Sequence, residues 1–178
     1  MLAYLFTFLA VVVHARILPL PWHFTPVAAS LLFFGARGSR RQMWLPWLLL
    51  VIADIYLNRF VYSYPLGWDQ TVIWAWYAAI LWLGTSLRKT SKPLPIVGAA
   101  LGSAISFFLI SNFVVWATGT MYPRTWAGLL TCYEAAVPFF RNTLEGDLLF
   151  TAAMFATPAV VHAIAGALGK TGDHTAAA

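Results

Sequence analysis

The stretch Phe107–Phe150, FFLISNFVVWATGTMYPRTWAGLLTCYEAAVPFFRNTLEGDLLF, decides how the rest of the chain is read. It opens as an apolar membrane helix, breaks at Tyr122-Pro123 into a polar and aromatic segment, and closes in a second apolar run. Asn112, Glu134, Glu145 and Asp147 stand in it among residues that suit hydrocarbon. Polar and ionised groups at that depth are expensive, and as a rule they face a bundle interior or a water-filled cavity. The stretch therefore predicts a polytopic helical protein with a polar binding cavity.

Composition agrees. Of the 178 residues 61% are hydrophobic and 10% are charged, far from the usage of a soluble domain. Apolar runs of roughly 15 to 25 residues match a bilayer core about 30 Å thick. Crossing it uses nearly the whole chain and leaves no soluble catalytic domain. The net charge of +5 comes from basic residues scattered between apolar runs. They form no basic stripe, which argues against nucleic acid as a partner, and they read as marks of membrane orientation. The single cysteine, Cys132, excludes an internal disulfide and a cysteine metal cluster. His14, His23 and His162 show no close metal spacing and read as structural, so neither a metal nor a cofactor is predicted.

Taken in order, Leu2–Val13 is an apolar run followed by Val13-His14-Ala15, a small-residue pattern of the kind signal peptidase cleaves. No Lys or Arg precedes it, and it is read as a retained helix from Leu2 to about Ile17. Pro19 and Pro21 stop that helix, and Thr25-Pro26 opens helix 2 as cap and first-turn proline. Running to about Ala36, helix 2 is roughly 17 Å long at 1.5 Å per residue, too short to cross alone. The basic turn Arg37-Gly38-Ser39-Arg40-Arg41 leads to helix 3, about Met43 to Phe60, which places Asp54 and Asn58 on one face. Helix 4 spans about Asp69 to Leu87, with Asp69 as its cap, and ends in a second basic turn, Arg88 to Lys92. Helix 5 runs from Pro93 to about Ala117. Its Gly98, Gly102 and Ser106 make a small-residue stripe read as packing against a neighbour within the chain. Thr125 to Phe140 holds Glu134 and Pro138 and is predicted as a short interfacial or re-entrant helix. Asn142 and Glu145 then form a capping box that starts the last helix, which continues to about Leu168.

The predicted fold is an all-α polytopic membrane protein: one domain over residues 1–168 with six transmembrane helices, a short interfacial or re-entrant helix before the last, and a flexible cytoplasmic tail over 169–178. Orientation follows from the basic residues. Arg37, Arg40, Arg41, Arg88, Lys89, Lys92 and Lys170 fall on one side of a six-span layout together with both termini, which makes that side cytoplasmic and the location the plasma membrane of a prokaryote. Asp54, Asp69, Glu134, Glu145 and Asp147 all fall in the other half.

The candidate ligand residues are Asp54, Asn58, Asn112, Trp116, Asp147 and Thr151. Asp54 must face inward, either toward ligand or toward Arg59, Arg124 or Arg141 as an ion-pair partner. Asn112 and Trp116 share a face of helix 5, and Thr143, Asp147 and Thr151 make one polar stripe on the last helix. Glu134 and Arg141 are read as a clasp that holds the re-entry in place. Trp68, Trp74, Trp76 and Trp126 read as an interfacial belt. No nucleophile and base, phosphate loop or paired catalytic carboxylates can be recognised.

Several motifs together carry a resemblance: Phe24-Thr-Pro-Val-Ala-Ala29, Ser111-Asn112-Phe113 with Trp116-Ala117, Tyr122-Pro123, Cys132-Tyr133, Pro138-Phe139-Phe140, Asn142-Thr143-Leu144 and Gly146-Asp147. In these the chain resembles an uncharacterised prokaryotic family of membrane transport proteins. That family is similar in layout to the S component, the substrate-binding subunit, of energy-coupling-factor (ECF) transporters. The resemblance implies uptake of a small solute, vitamin-like or a related ring compound, from the outer face. It also implies a transmembrane coupling protein with ATPases as partner, besides the solute and the lipid bilayer. S components dock through an Ala-x-x-x-Ala face on helix 1, where this chain has Ala3-x-x-x-Thr7 and Ala10. The alternatives are a non-transporting accessory subunit of a larger membrane complex, held by the helix 5 stripe and by Ala152, Ala156, Ala159 and Ala163, and, third, a small membrane enzyme.

Overall fold

A computed structural model describes residues 1–15 and 24–175, with side chains as far as Ala167, and every regular element among the described residues is helical. The six helices are α1 Leu2–His14, α2 Val27–Arg37, α3 Trp44–Tyr56, α4 Trp68–Ser86, α5 Pro93–Thr118 and α6 Trp126–Thr175. The expected extension of the first helix to Ile17, and Pro19, Pro21 and His23, lie outside the described residues.

The helix that organises the fold is α2. Every residue from Val27 to Ala36 is buried, as expected of a helix apolar on all sides, and α2 touches all five other helices. Phe33 meets Phe6 and Phe155 at ring-centroid distances of 5.0 and 5.1 Å. The closest approach is to α4. A Cβ built on Gly35 would lie 2.2 Å from the Leu81 carbonyl oxygen, and one on Gly84 would lie 2.4 Å from that of Leu32. Glycine at both positions lets the two backbones touch, the small-residue packing used between membrane helices. The sequence reading assigns that role to the Gly98, Gly102 and Ser106 stripe, and the structure corrects it for the two glycines, while Ser106 meets α4 by accepting from the Trp76 indole at 3.0 Å. A Cβ on either of those glycines meets nothing within 4 Å, because α5 buries the neighbouring face, Ala99, Ala100, Ser103 and Ala104.

A second correction concerns the region before the last helix. No separate re-entrant helix forms; Trp126–Thr175 is one helix of 50 residues that passes through Pro138 and Pro158. Each proline deletes one backbone hydrogen bond, whereas a break in apolar surroundings would leave several groups unsatisfied. The capping-box pair Asn142 and Glu145 is therefore mid-helix. α6 also runs on through residues where the sequence predicts a flexible tail. From its start it lies antiparallel to α5: the Tyr133 hydroxyl donates to the Leu109 carbonyl at 2.7 Å, and Phe108 stacks with Tyr133 and Phe140 at 5.5 and 4.7 Å.

Among the described residues three helical stretches are long and apolar enough to cross a bilayer: Arg40–Val61, Pro93–Thr118 and Trp126–Ala167. In the last two only 22% and 11% of the most apolar window is buried inside the protein. Leu94, Leu109, Phe113, Leu130, Leu149 and Val160 are among the large apolar side chains left on the outside, a surface suited to hydrocarbon rather than to water. α1 and α2 are shorter apolar helices.

The two basic turns meet at one end of the bundle. Arg37 donates to the Thr90 carbonyl at 3.2 Å and Arg88 to the Gly38 carbonyl at 3.0 Å. Burial, and then the charge of Arg40, lower the pKa of the Arg88 guanidinium from its ordinary value.

Candidate functional site

At the opposite half of the bundle all six helices converge on one cavity of about 310 Å³. Its polar wall comprises His14, Thr25, Asp54, Asn58, Gln70 and Thr143, with Asp147 and Tyr62; Trp76, Tyr77, Phe107 and aliphatic side chains complete it. The volume sits at the lower end of the range for small-molecule sites, as does the mixture of apolar lining and a few convergent polar groups.

Local folding explains how these side chains arrive there. α3 ends in a π-helical turn, Leu57–Val61, marked by the Tyr62 amide donating to the Leu57 carbonyl at 2.8 Å. Ser63, at φ 52°, then turns the chain away in the left-handed region. Single π turns often mark functional positions because they re-aim side chains, and this one places Asn58 and Tyr62 on the same cavity as Asp54. Asp54 is 7% exposed and fully engaged. His14 Nε2 lies 2.5 Å from Oδ1, the Trp74 indole donates to Oδ2 at 2.9 Å, and the buried Tyr77 hydroxyl faces the same carboxylate. His14 stands in the last turn of α1.

Asp147 is held differently. It is 4% exposed, and its one hydrogen-bond partner among the described residues is the Ser103 hydroxyl at 3.4 Å, near the outer limit for such a bond and in competition with the Ala100 carbonyl, which that hydroxyl meets at 2.8 Å. One turn along α6 the hydroxyl of Thr151 is buried without a hydrogen-bond partner. The site therefore contains one saturated carboxylate and one with capacity to spare.

Of the sequence-predicted ligand residues, the structure brings Asp54, Asn58 and Asp147 together, with Thr151 buried beside the last of them. It does not bring in Asn112 or Trp116. The Asn112 amide donates back to the Phe108 carbonyl at 2.8 Å, and the Trp116 indole fastens the following loop through the Pro123 carbonyl at 2.9 Å; neither lines the cavity. Asn112 lies nine residues beyond Ser103, the α5 residue that meets Asp147, so a separation of two and a half turns keeps it away. The Glu134 and Arg141 clasp is replaced as well. Arg141 Nε pairs with Glu145 Oε1 at 2.8 Å, because on a continuous helix residues four apart are neighbours whereas residues seven apart lie two turns away.

Sequence reasoning missed His14, Gln70, Tyr77 and Phe107, and it assigned Trp74 and Trp76 to an interfacial belt. It left Asp54 open between ligand contact and an ion pair, and the partners it offered for the pair were Arg59, Arg124 and Arg141 rather than His14. A usable signal existed for the tryptophans. Trp74 and Trp76 sit well inside helix 4, at least six residues from its start, deeper than an interfacial belt requires. His14 offers none, being 40 residues from Asp54.

The chain belongs to the Family of unknown function (DUF6580), which matches residues 1–168. Comparison with curated proteins and with solved structures finds no match in either.

Proposed function

We propose that this member of the DUF6580 family is a membrane-embedded binding subunit that takes up a small, ring-containing solute from the face opposite the basic turns. The observation that carries this reading is the convergence of all six helices on a cavity that buries two carboxylates, one of them with a single long hydrogen bond. A buried carboxylate is costly unless it is paired, and a ligand supplies the missing partner. In this reading all six helices cross the bilayer, so both termini share the cytoplasmic side with the clustered basic turns, as the orientation rule requires. The test is native mass spectrometry of the protein released from lipid nanodiscs. A bound small solute is expected on the wild type and lost from the Asp54→Asn, Asp147→Asn double variant. A bare wild-type protein, from cells grown in rich medium, contradicts the proposal.

The resemblance to S components adds a coupling protein and ATPases to the proposal. Ala3, Thr7 and Ala10 are buried against the chain's own helices, so a coupling protein would dock on another face. That observation favours a second reading, in which the outward Gly98 and Gly102 stripe and the exposed Ala152, Ala156, Ala159 and Ala163 seat this chain in a larger membrane complex. Copurification with an assembly that lacks ATPases distinguishes it.

A further inference from the structure

We infer that the cavity takes a small organic cation, a protonated or quaternary amine carried on a ring, with Asp147 as its counter-ion and Trp76 and Phe107 as its aromatic wall. This deepens the solute-binding reading above and rests on it. The argument starts from the inequality of the two carboxylates. Asp54 already has a histidine and an indole on its two oxygens. Asp147 faces the same cavity with only the 3.4 Å contact from Ser103. None of the described lining residues is Lys or Arg, so among the described residues an anionic ligand would meet only the His14 ring, which Asp54 already holds.

Size and surface set the class of cation. A volume of about 310 Å³ corresponds to roughly ten waters at about 30 Å³ each, far more than a bare metal ion fills. No group of three or more His, Cys, Asp or Glu among the described residues could hold a metal. The wall offers rings instead. Trp76 and Phe107 meet at 4.9 Å between centroids, and the Trp76 indole N–H is fixed to the Ser106 hydroxyl at 3.0 Å. Anchored aromatic faces beside a desolvated carboxylate attract an ammonium group through the ring quadrupole as well as through the charge. One turn from Asp147 the Thr151 hydroxyl is buried without a hydrogen-bond partner, a second polar group near the site that the protein leaves unsatisfied.

The experiment is calorimetric titration of the full chain in lipid nanodiscs with four probes of one shape: benzyltrimethylammonium, benzylamine, benzyl alcohol and benzoate. The two cations are expected to bind at least tenfold tighter than the alcohol, with benzoate weakest. Asp147→Asn should weaken the cations about 30-fold or more, the lower bound for removing one partner of a buried charge pair, and leave the alcohol unchanged. Phe107→Leu, at a half-buried position, should cost the cations more than the alcohol. The wild-type charge series decides the question even where a variant fails to fold. Equal or tighter binding of the alcohol or benzoate overturns the cation while leaving a solute site. Binding of none of the four overturns it too, and the solute-binding reading falls with it only if the native mass spectrum is also bare.

Discussion

Replacing His14 by Leu tests whether the end of α1 is fastened to the cavity through Asp54. The two side chains are 20% and 9% exposed and 2.5 Å apart, so the pair is largely removed from water. Deleting one partner of a buried pair costs about 3 to 5 kcal/mol, because the remaining charge is stranded. Two features of the site soften that cost. The Trp74 indole still donates to Oδ2 at 2.9 Å, and the buried Tyr77 hydroxyl faces the same carboxylate. A loss of about 2 to 3 kcal/mol is therefore expected for His14→Leu, less than complete stranding would give. For a chain of this size that corresponds to a fall in Tm of roughly 4 to 12 °C, read by intrinsic tryptophan fluorescence in detergent. Asp54→Asn removes the charge, and the double variant should lose markedly less than the sum of the two single losses, as coupled neighbours do. An unchanged Tm for His14→Leu, or strictly additive losses, would refute the pairing and detach α1 from the site.

Gly84→Ala should destabilise by about 1 to 3 kcal/mol or more through overpacking, since its Cβ would lie 2.4 Å from the Leu32 carbonyl oxygen; Gly98→Ala, which meets nothing, should be neutral or slightly stabilising in the same melts. Asn112→Ala should leave solute affinity within about twofold, because its amide is spent on the Phe108 carbonyl; a tenfold loss in titration would restore it to the site. Arg141→Ala should leave the Tm essentially unchanged, since both partners of its pair are exposed at 81% and 54% and solvent screens such pairs; a large drop in Tm would revive a clasp.

The sequence reading was right about the kind of element almost everywhere, and it picked out cavity-lining residues where their physics was local. Asp54, Asn58 and Asp147 were legible because a carboxylate or an amide in an apolar run has few tolerable placements. α2 was legible as a short helix between Thr25-Pro26 and the basic turn, though its position at the centre of the fold was not. Two kinds of information were missing. Spacing alone cannot show which glycines face a neighbour: Gly35 and Gly84 are 49 residues apart and carry no motif, whereas the regular Gly98 and Gly102 stripe looks outward. Helix-breaking signals also weaken in an apolar setting, so Pro138 and the Asn142 and Glu145 box did not divide α6. With the division went the clasp, which depended on a turn between Glu134 and Arg141. His14 illustrates a third limit, because a partner brought in by tertiary packing from another helix leaves no local pattern.

The central claim is a solute cavity that opens to the face away from the basic turns, and cysteine accessibility in intact cells tests it most directly. Cys132 is buried and is first replaced by Ser. Thr143, which lines the cavity, and Ser39, in the first basic turn, are then changed to Cys one at a time and exposed to a membrane-impermeant thiol reagent. The account predicts that Thr143→Cys is labelled in intact cells and that Ser39→Cys is labelled only after the membrane is permeabilised. Labelling of Ser39→Cys in intact cells, with Thr143→Cys reached only after permeabilisation, would contradict it.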